Sequence, residues 1–313
     1  MKVLFIGTGV MGGPMALNLA KNNVDVTVYN RTVEKAKALE PHVKVATDLV
    51  FAAKHADIIF SIVGYPSDVK EVYETIIPHC KKGTILVDMT TSSVSLAIEL
   101  NALAKQHGLE MLDAPVTGGD SGAINGTLSI MAGGDESTYH TIYPYLTYMG
   151  KTITYMGNPG SGQTMKLANQ ITIAGNILGI AEGLYFAKEK GLNLEDVYKV
   201  ITGGSASSWQ AIHNGKKMII KDYQPGFYVK HFLKDLKLAL EESKELDLPL
   251  LKLAEKAYSI LSKLHNDSGT QAIIEYYLNQ ENKKRLMWSR FYFIGCIPTT
   301  GTTNINPTVS LLE

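Results

Sequence analysis

The sequence has only two cysteines, Cys80 and Cys296, in 313 residues. A pair so far apart is not a disulfide framework, and it suits a reducing compartment. Net charge is missing too, because Lys plus Arg and Asp plus Glu stand at 30 each. That balance excludes a global field favouring nucleic acid, an anionic membrane surface or a polyanion. A small neutral or singly charged ligand fits better. The charge-poor stretch 167–181 holds Asn169, Gln170, Thr172 and Asn176 and falls short of the roughly 20 apolar residues of a membrane span. At the N-terminus a short apolar run meets a Gly-rich turn, without the longer apolar region and cleavage site of a secretory signal. The expectation is a cytoplasmic protein with neither nucleic acid nor membrane as partner. No internal repeat, low-complexity tract, GxSxG elbow or Walker lysine-serine motif occurs.

With 45% hydrophobic content, the chain is long enough for two domains. In the first half, short apolar runs alternate with helical patterns: "KVLFI" (2–6), "DVTVY" (25–29), "ADIIFSIV" (56–63), "GTILVDM" (83–89) and "LEMLDAPV" (109–116). Helix-start chemistry lies between them, as at Ser67 and Asp68, and at Ser92 and Ser93. Continuously apolar strands alternating with helices predict a parallel sheet covered on both faces, a doubly wound α/β domain over residues 1–160. From 161 to 282 only helical periods appear, separated by Gly, Asn, Asp and Pro, so an all-helical second domain is expected, with 167–181 in its buried central helix.

"GTGVMG" follows the first strand and opens a helix with Met11, Met15 and Leu19 on one face. That context turns a weak GxGxxG into a dinucleotide fingerprint. Gly7 permits the tight turn, Gly9 lets backbone approach a pyrophosphate, and Gly12 lets helix pack on sheet, with Val10 and Met11 between them at the helix N-terminus. A Gly-rich turn with no ligand is the alternative. An acid closing the second strand would bind the ribose 2′-hydroxyl of NAD, whereas an arginine there accommodates the 2′-phosphate of NADP. The chain has Asn30, Arg31 and Thr32. NADP(H) is therefore expected over NAD(H), against the alternative of an ordinary surface arginine.

"DAPVTGGDSGAINGTLSIMAGG" (113–134) follows a strand and reads as a loop at the carboxyl edge of the sheet. Thr117 offers a hydroxyl, and Gly118 and Gly119 offer unobstructed N–H groups that suit a carboxylate; glycines needed only for turns explain the stretch equally well. Lys166 stands just inside the long helix, with Asn169 and Gln170 at i+3 and i+4 and no further charge until Glu182. Partial burial would depress its pKa and make it a proton donor to a carbonyl oxygen. A lysine snorkelling from a helix end has the same spacing. His231 and Asp235 are also four apart, yet no third metal ligand is apparent and no metal is expected. Asp113 reads as support for its loop, and Tyr276 and Tyr277 as core.

"IGTGVMGGPMALNL", "YNRT", "DMTTS", "DAPVTGG", "GSGQTMKLANQ" and "GFYVKHFLKDLKLAL" together resemble the β-hydroxyacid dehydrogenase family across about residues 1–280. The resemblance implies an NAD(P)-dependent reductase of small carboxylate-bearing semialdehydes or 2-oxo acids, also running as a 3-hydroxyacid dehydrogenase, and a homodimer or homotetramer. It implies Lys166 as general acid/base and Thr117, Gly118, Gly119 and Asn169 or Gln170 as substrate contacts. Thr91 falls where the nicotinamide ribose or substrate is met, and Phe227, Lys234 and Asp235 on a segment closing over the site. Val63, Gly64 and Tyr65, in "VGYPSDV", are expected to line the cofactor. Many family members carry Ser where Thr117 stands and Asn where Gln170 stands, which leaves substrate size open. A non-catalytic dinucleotide sensor and an imine reductase on the same fold are the alternatives, and Lys166 weighs against both. The segment 283–313 lies past the resemblance, with no charge between Arg290 and Glu313, and is assigned no function.

Overall fold

The apolar runs become strands buried on both sides. In β1 (Lys2–Ile6), Val3 and Phe5 enter one hydrophobic cluster while Leu4 and Ile6 enter another. Alternate side chains of a strand point to opposite faces, so a run without polar positions needs cover on both. The computed structural model describes residues 1–243 and 245–279; the segment 283–313 lies outside them.

The order is β1, α1 (Gly12–Lys21), β2 (Asp25–Tyr29), α2 (Val33–Lys37), β3 (Lys44–Val45), α3 (Leu49–His55), β4 (Ile58–Ser61), α4 (Pro66–Ile76), β5 (Ile85–Asp88), α5 (Val94–Gln106) and β6 (Glu110–Asp113). Strands β3-β2-β1-β4-β5-β6 lie side by side and parallel. This is the order of a doubly wound nucleotide-binding sheet, which places ligands outside the carboxyl ends of its strands.

Beyond β6 the chain departs from the expected loop and parallel sheet. Residues 113–134 form β7 (Val116–Thr117), α6 (Gly119–Asn125) and β8 (Leu128–Gly133), and β8 runs antiparallel to both β6 and β7. After α7 (Glu136–Leu146), β9 (Gly150–Gly157) pairs parallel with β8. The helix starts expected at Ser67 and Asp68 also shift: Ser93 is the N-cap of α5 and accepts the Leu96 N–H, but the N-cap of α4 is Tyr65, whose N–H is taken by the side chain of Asp68 at the third helical position.

Helix α8 (Ser161–Glu189) follows β9 after a link of three residues, 158–160. At 29 residues it is about 43 Å long. Its Leu167, Ala174, Ile177, Leu178, Ala181 and Leu184 belong to a separate helical core. Around it lie α9 (Leu194–Gly203), α10 (Lys216–Ile219), α11 (Val229–Glu242) and α12 (Pro249–His265). Tyr276 and Tyr277 pack against this core. Among the described residues no helix is long and apolar enough to cross a membrane.

Candidate active site

The turn after β1 is shaped by contacts that exclude side chains on one side and leave the other open. Gly7 has φ +93°, and a Cβ on it would lie 2.1 Å from the Ile62 carbonyl oxygen; a Cβ on Gly12 would lie 1.9 Å from the Gly7 oxygen. At Gly9 a Cβ would meet nothing within 4 Å. The start of α1 has no side-chain cap; the Gly13 N–H already donates to the Gly9 carbonyl at 3.0 Å and Pro14 has none, so within this first turn it is the Gly12 N–H that keeps its capacity for an anion. Thr8 donates its N–H to Asn30 Oδ1 at 2.9 Å, tying this turn to the end of β2, and Asn30 Nδ2 donates to the Thr32 carbonyl at 2.9 Å. The Thr8 hydroxyl is buried without a hydrogen-bond partner. The Gly12 N–H, open space at Gly9 and a spare buried hydroxyl fit a dinucleotide pyrophosphate.

Beside this cradle the chain after β5 is held from several directions. Asp88 Oδ1 accepts from Ser61 Oγ at 2.9 Å and from the Thr90 N–H at 3.1 Å. Burial pushes the Asp88 carboxyl up to about 6, against those hydrogen bonds. Gln163, wholly buried on α8, donates to the Thr90 carbonyl at 2.7 Å and accepts the Ser92 N–H at 3.0 Å. Lys234 on α11 donates to the Thr91 carbonyl at 2.5 Å, with the Gly64 carbonyl at 3.4 Å. Farther along α11, Glu242 accepts the Val94 N–H at 3.0 Å, where α5 begins. The helical half thus grips the sheet half at the loop that carries Thr91.

The start of α8 is fixed by a residue from the sheet. Its N-cap, Gly160, has φ +88° and no capping side chain. Asp113 at the end of β6 supplies the acceptor instead, taking the Gly160 N–H at 2.7 Å on Oδ1 and the Gln163 N–H at 2.8 Å on Oδ2. Glycines make room for this carboxylate: a Cβ on Gly162 would lie 2.8 Å from Oδ2, and one on Gly133 2.7 Å from Oδ1. Burial pushes Asp113 up to about 6, partly offset by the N–H groups it accepts.

Lys166 follows three residues after Gln163 and is 5% exposed. Burial drives its pKa down to about 8, with Asp235 pulling it upward and Lys234 adding to the depression. A polar chain runs along the same helix. Asn169 Nδ2 reaches Thr117 Oγ1 at 3.4 Å and Gln170 Oε1 at 3.0 Å, and Gln170 Nε2 donates to Asp235 Oδ2 at 2.7 Å. Asp235 Oδ1 is buried without a hydrogen bond, although Lys234 Nζ lies 3.2 Å away. We read that contact as an ion pair whose alignment is too poor for a hydrogen bond. Gly118 and Gly119 have φ +134° and +65°, and a Cβ on Gly119 would lie 3.6 Å from the Gly226 oxygen, next to Phe227. Phe227 packs edge-on against Phe232, with ring centroids 5.9 Å apart.

Three of the expected groups therefore come together: Gly7, Gly9, Gly12 and Asn30 in one cradle; Thr91, Gly64 and Lys234 in one contact; and Thr117, Asn169, Gln170 and Asp235 in one chain beside Lys166. Gln170 is 1% exposed and spends its amide on protein partners. Val10 projects outward, and Arg31 stands at the rim with Asp68. Among the described residues no cluster of three His, Cys, Asp or Glu could hold a metal. Sequence reasoning missed Gln163 and Asp88 and the capping role of Asp113. The missing cap at Gly160, before so long a helix, was the available signal for the last.

Comparison with known proteins agrees with this arrangement. Residues 2–157 match the NAD binding domain of 6-phosphogluconate dehydrogenase, and residues 160–277 match the NAD-binding domain of NADP-dependent 3-hydroxyisobutyrate dehydrogenase. An uncharacterized oxidoreductase of Bacillus subtilis is 45% identical over 86% of this chain and 96% of its own length. The 2-hydroxy-3-oxopropionate reductase of Escherichia coli is 40% identical over 80% of this chain and 87% of its own. Among solved structures, 3-hydroxyisobutyrate dehydrogenase of Mycobacterium tuberculosis with L-serine superposes with a TM-score of 0.82 at 32% identity, covering 88% of this chain and 98% of that one.

Proposed function

The chain belongs to the β-hydroxyacid dehydrogenase family, and on that premise we propose that it reduces a small carboxylate-bearing semialdehyde or 2-oxo acid, with NADPH preferred over NADH and Lys166 as proton donor. The observation that carries the reading is a lysine buried at the start of α8, with its pKa brought down to about 8, beside a polar chain ending at Thr117. A lysine at that pKa is charged at neutral pH yet gives up its proton more readily than a solvated one, which suits donation to a developing alkoxide.

In this reading Thr117 and the N–H groups of Gly118 and Gly119 hold the substrate carboxylate, and Asn169 orients Thr117. Gln170 acts through Asp235, whose charge keeps Lys166 protonated until reaction. A bound reduced nicotinamide supplies the hydride to the carbonyl carbon. Lys166 delivers its proton to the carbonyl oxygen, and in the reverse direction the neutral amine takes the hydroxyl proton. Arg31, past the end of β2, is assigned to the 2′-phosphate.

The test is oxidation of NADPH, with NADH in parallel, against glyoxylate, succinic semialdehyde, tartronate semialdehyde and methylmalonate semialdehyde. Turnover on at least one is expected, falling by about 10²–10⁴-fold in Lys166→Ala while NADPH still binds. Unchanged turnover in that variant removes the proton-donor assignment. Tight NADPH binding with turnover on none of them favours a dinucleotide sensor.

A further inference from the structure

The strand that should end in an acid for an NAD-specific site, β2, does not, yet the structure brings a carboxylate to the same place from another element. Asp68 sits at the third position of α4, where its side chain reaches back to the residue that starts this helix. Its Oδ2 accepts the Tyr65 N–H at 3.0 Å, and a Cβ added at Gly64 would lie 2.9 Å from that oxygen. Backbone contacts on that side hold the carboxylate in place. Its other oxygen, Oδ1, faces Arg31 Nη1 at 3.6 Å, with the guanidinium side chain 81% exposed and that of Asp68 25% exposed. Because β2 and β4 flank β1 in the sheet, Arg31 and Asp68 approach each other from the two sides of the Gly7–Gly12 turn.

At 3.6 Å, with one partner in water, this contact adds little to stability. Its consequence for a ligand is larger. A 2′-phosphate seated on Arg31 would carry nearly two negative charges to within a few ångström of a fixed carboxylate, and would have to compete with that carboxylate for the guanidinium. A 2′-hydroxyl brings no charge and meets no such opposition. We infer that Asp68 is a specificity-determining residue: it weakens the preference for NADPH that Arg31 alone would give, and so keeps NADH usable by the same site. The inference rests on the assignment of Arg31 to the 2′-phosphate.

Asp68→Asn tests it with little risk to folding, since the amide oxygen can still accept the Tyr65 N–H; Asp68→Ser is a second variant that keeps an acceptor. Dissociation constants for NADPH and NADH are measured for wild type, both variants and Arg31→Ala, at low and high salt. Coulomb's law for a charge product of two across several ångström of high dielectric gives about a tenfold tightening of NADPH in Asp68→Asn. NADH should move less than twofold, and the gain should shrink as salt is raised. If Arg31→Ala weakens NADPH selectively while neither Asp68 variant tightens it, Asp68 has no such role and the Arg31 assignment stands. If Arg31→Ala weakens both cofactors equally, the Arg31 assignment fails and the inference fails with it. Equal tightening of both cofactors in the Asp68 variants also overturns it.

Discussion

Arg31 and Lys166 are the two cations on which the cofactor and proton assignments turn, and the protein treats them in opposite ways. Arg31 is 81% exposed at the rim, facing one oxygen of Asp68. Lys166 is 5% exposed, under a helix start locked to the sheet by Asp113, and burial brings its pKa down to about 8. Solvent screens the first, so its influence on a ligand is graded, salt-dependent and separable from folding. Desolvation acts on the second, so its chemistry and the stability of the fold are coupled.

Changing Lys166 should break that contrast most visibly. Lys166→Met, similar in shape and uncharged, should lose turnover by at least a hundredfold and yet gain stability at pH 7. The folded-state pKa lies below that of a solvated lysine, so keeping the charge costs folding free energy in full below about 8. The cost fades as pH rises toward the unfolded value of 10.5, where the unfolded chain no longer binds the extra proton. Its size is on the order of 1–3 kcal/mol. Urea unfolding should therefore show wild type gaining on the variant between pH 7 and pH 10. A variant less stable than wild type at pH 7 would mean that Lys166 contributes packing and not strain. The same pKa sets the sense of the rate profiles. With Lys166 as the proposed proton donor, reduction should fall as pH rises through about 8, whereas the reverse oxidation should rise over the same range. Parallel profiles in the two directions would remove Lys166 as the titrating group.

The next effect in size tests how Lys166 is held. Asp113→Asn keeps one acceptor but turns a donor toward one of the two N–H groups that the carboxylate now satisfies, at Gly160 and Gln163. The first turn of α8 should shift, and small misplacement of a reacting group is costly. We expect kcat to fall about ten- to a hundredfold, with NADPH affinity changed less than twofold, because the cradle after β1 is built from other elements. Loss of cofactor affinity together with kcat would point to general disruption of the sheet edge.

What the sequence discloses follows the same division between local and remote causes. The Gly7–Gly12 turn, the cation after β2 and the five core strands of the parallel set are local patterns, and each lies close to where its residues predict. Strands β8 and β9 were not visible. β8 ends at Gly133 with Gly134 next, a pair that reads as turn, and β9 is exposed or half-buried along all but its first residue. Their strand character comes from pairing, β8 with β6, β7 and β9, and not from composition. In the site, Lys166 stands out because nothing charged follows it for a long stretch. The groups placed around it do not, because Asp113 reaches Gly160 across 47 residues, and Gln170 reaches Asp235 across 65. An Asp in a Gly-rich stretch reads as loop support until a helix with no cap of its own is seen to need it.

The smallest effect is the complement of the Lys166 result. Arg31→Ala removes a side chain that fills no core position and whose ion pair is long and solvated, so stability should move by less than about 0.5 kcal/mol. Affinity for NADPH should nonetheless fall about tenfold at low salt, as a phosphate loses its guanidinium partner, and the difference from wild type should narrow as salt is raised. NADH binding should be nearly unchanged. Thermal unfolding and cofactor titration on the same preparation separate the two quantities. A clear loss of stability would show that Arg31 braces the rim through Asp68, and the division between a screened cation that selects and a buried cation that reacts would then have to be redrawn.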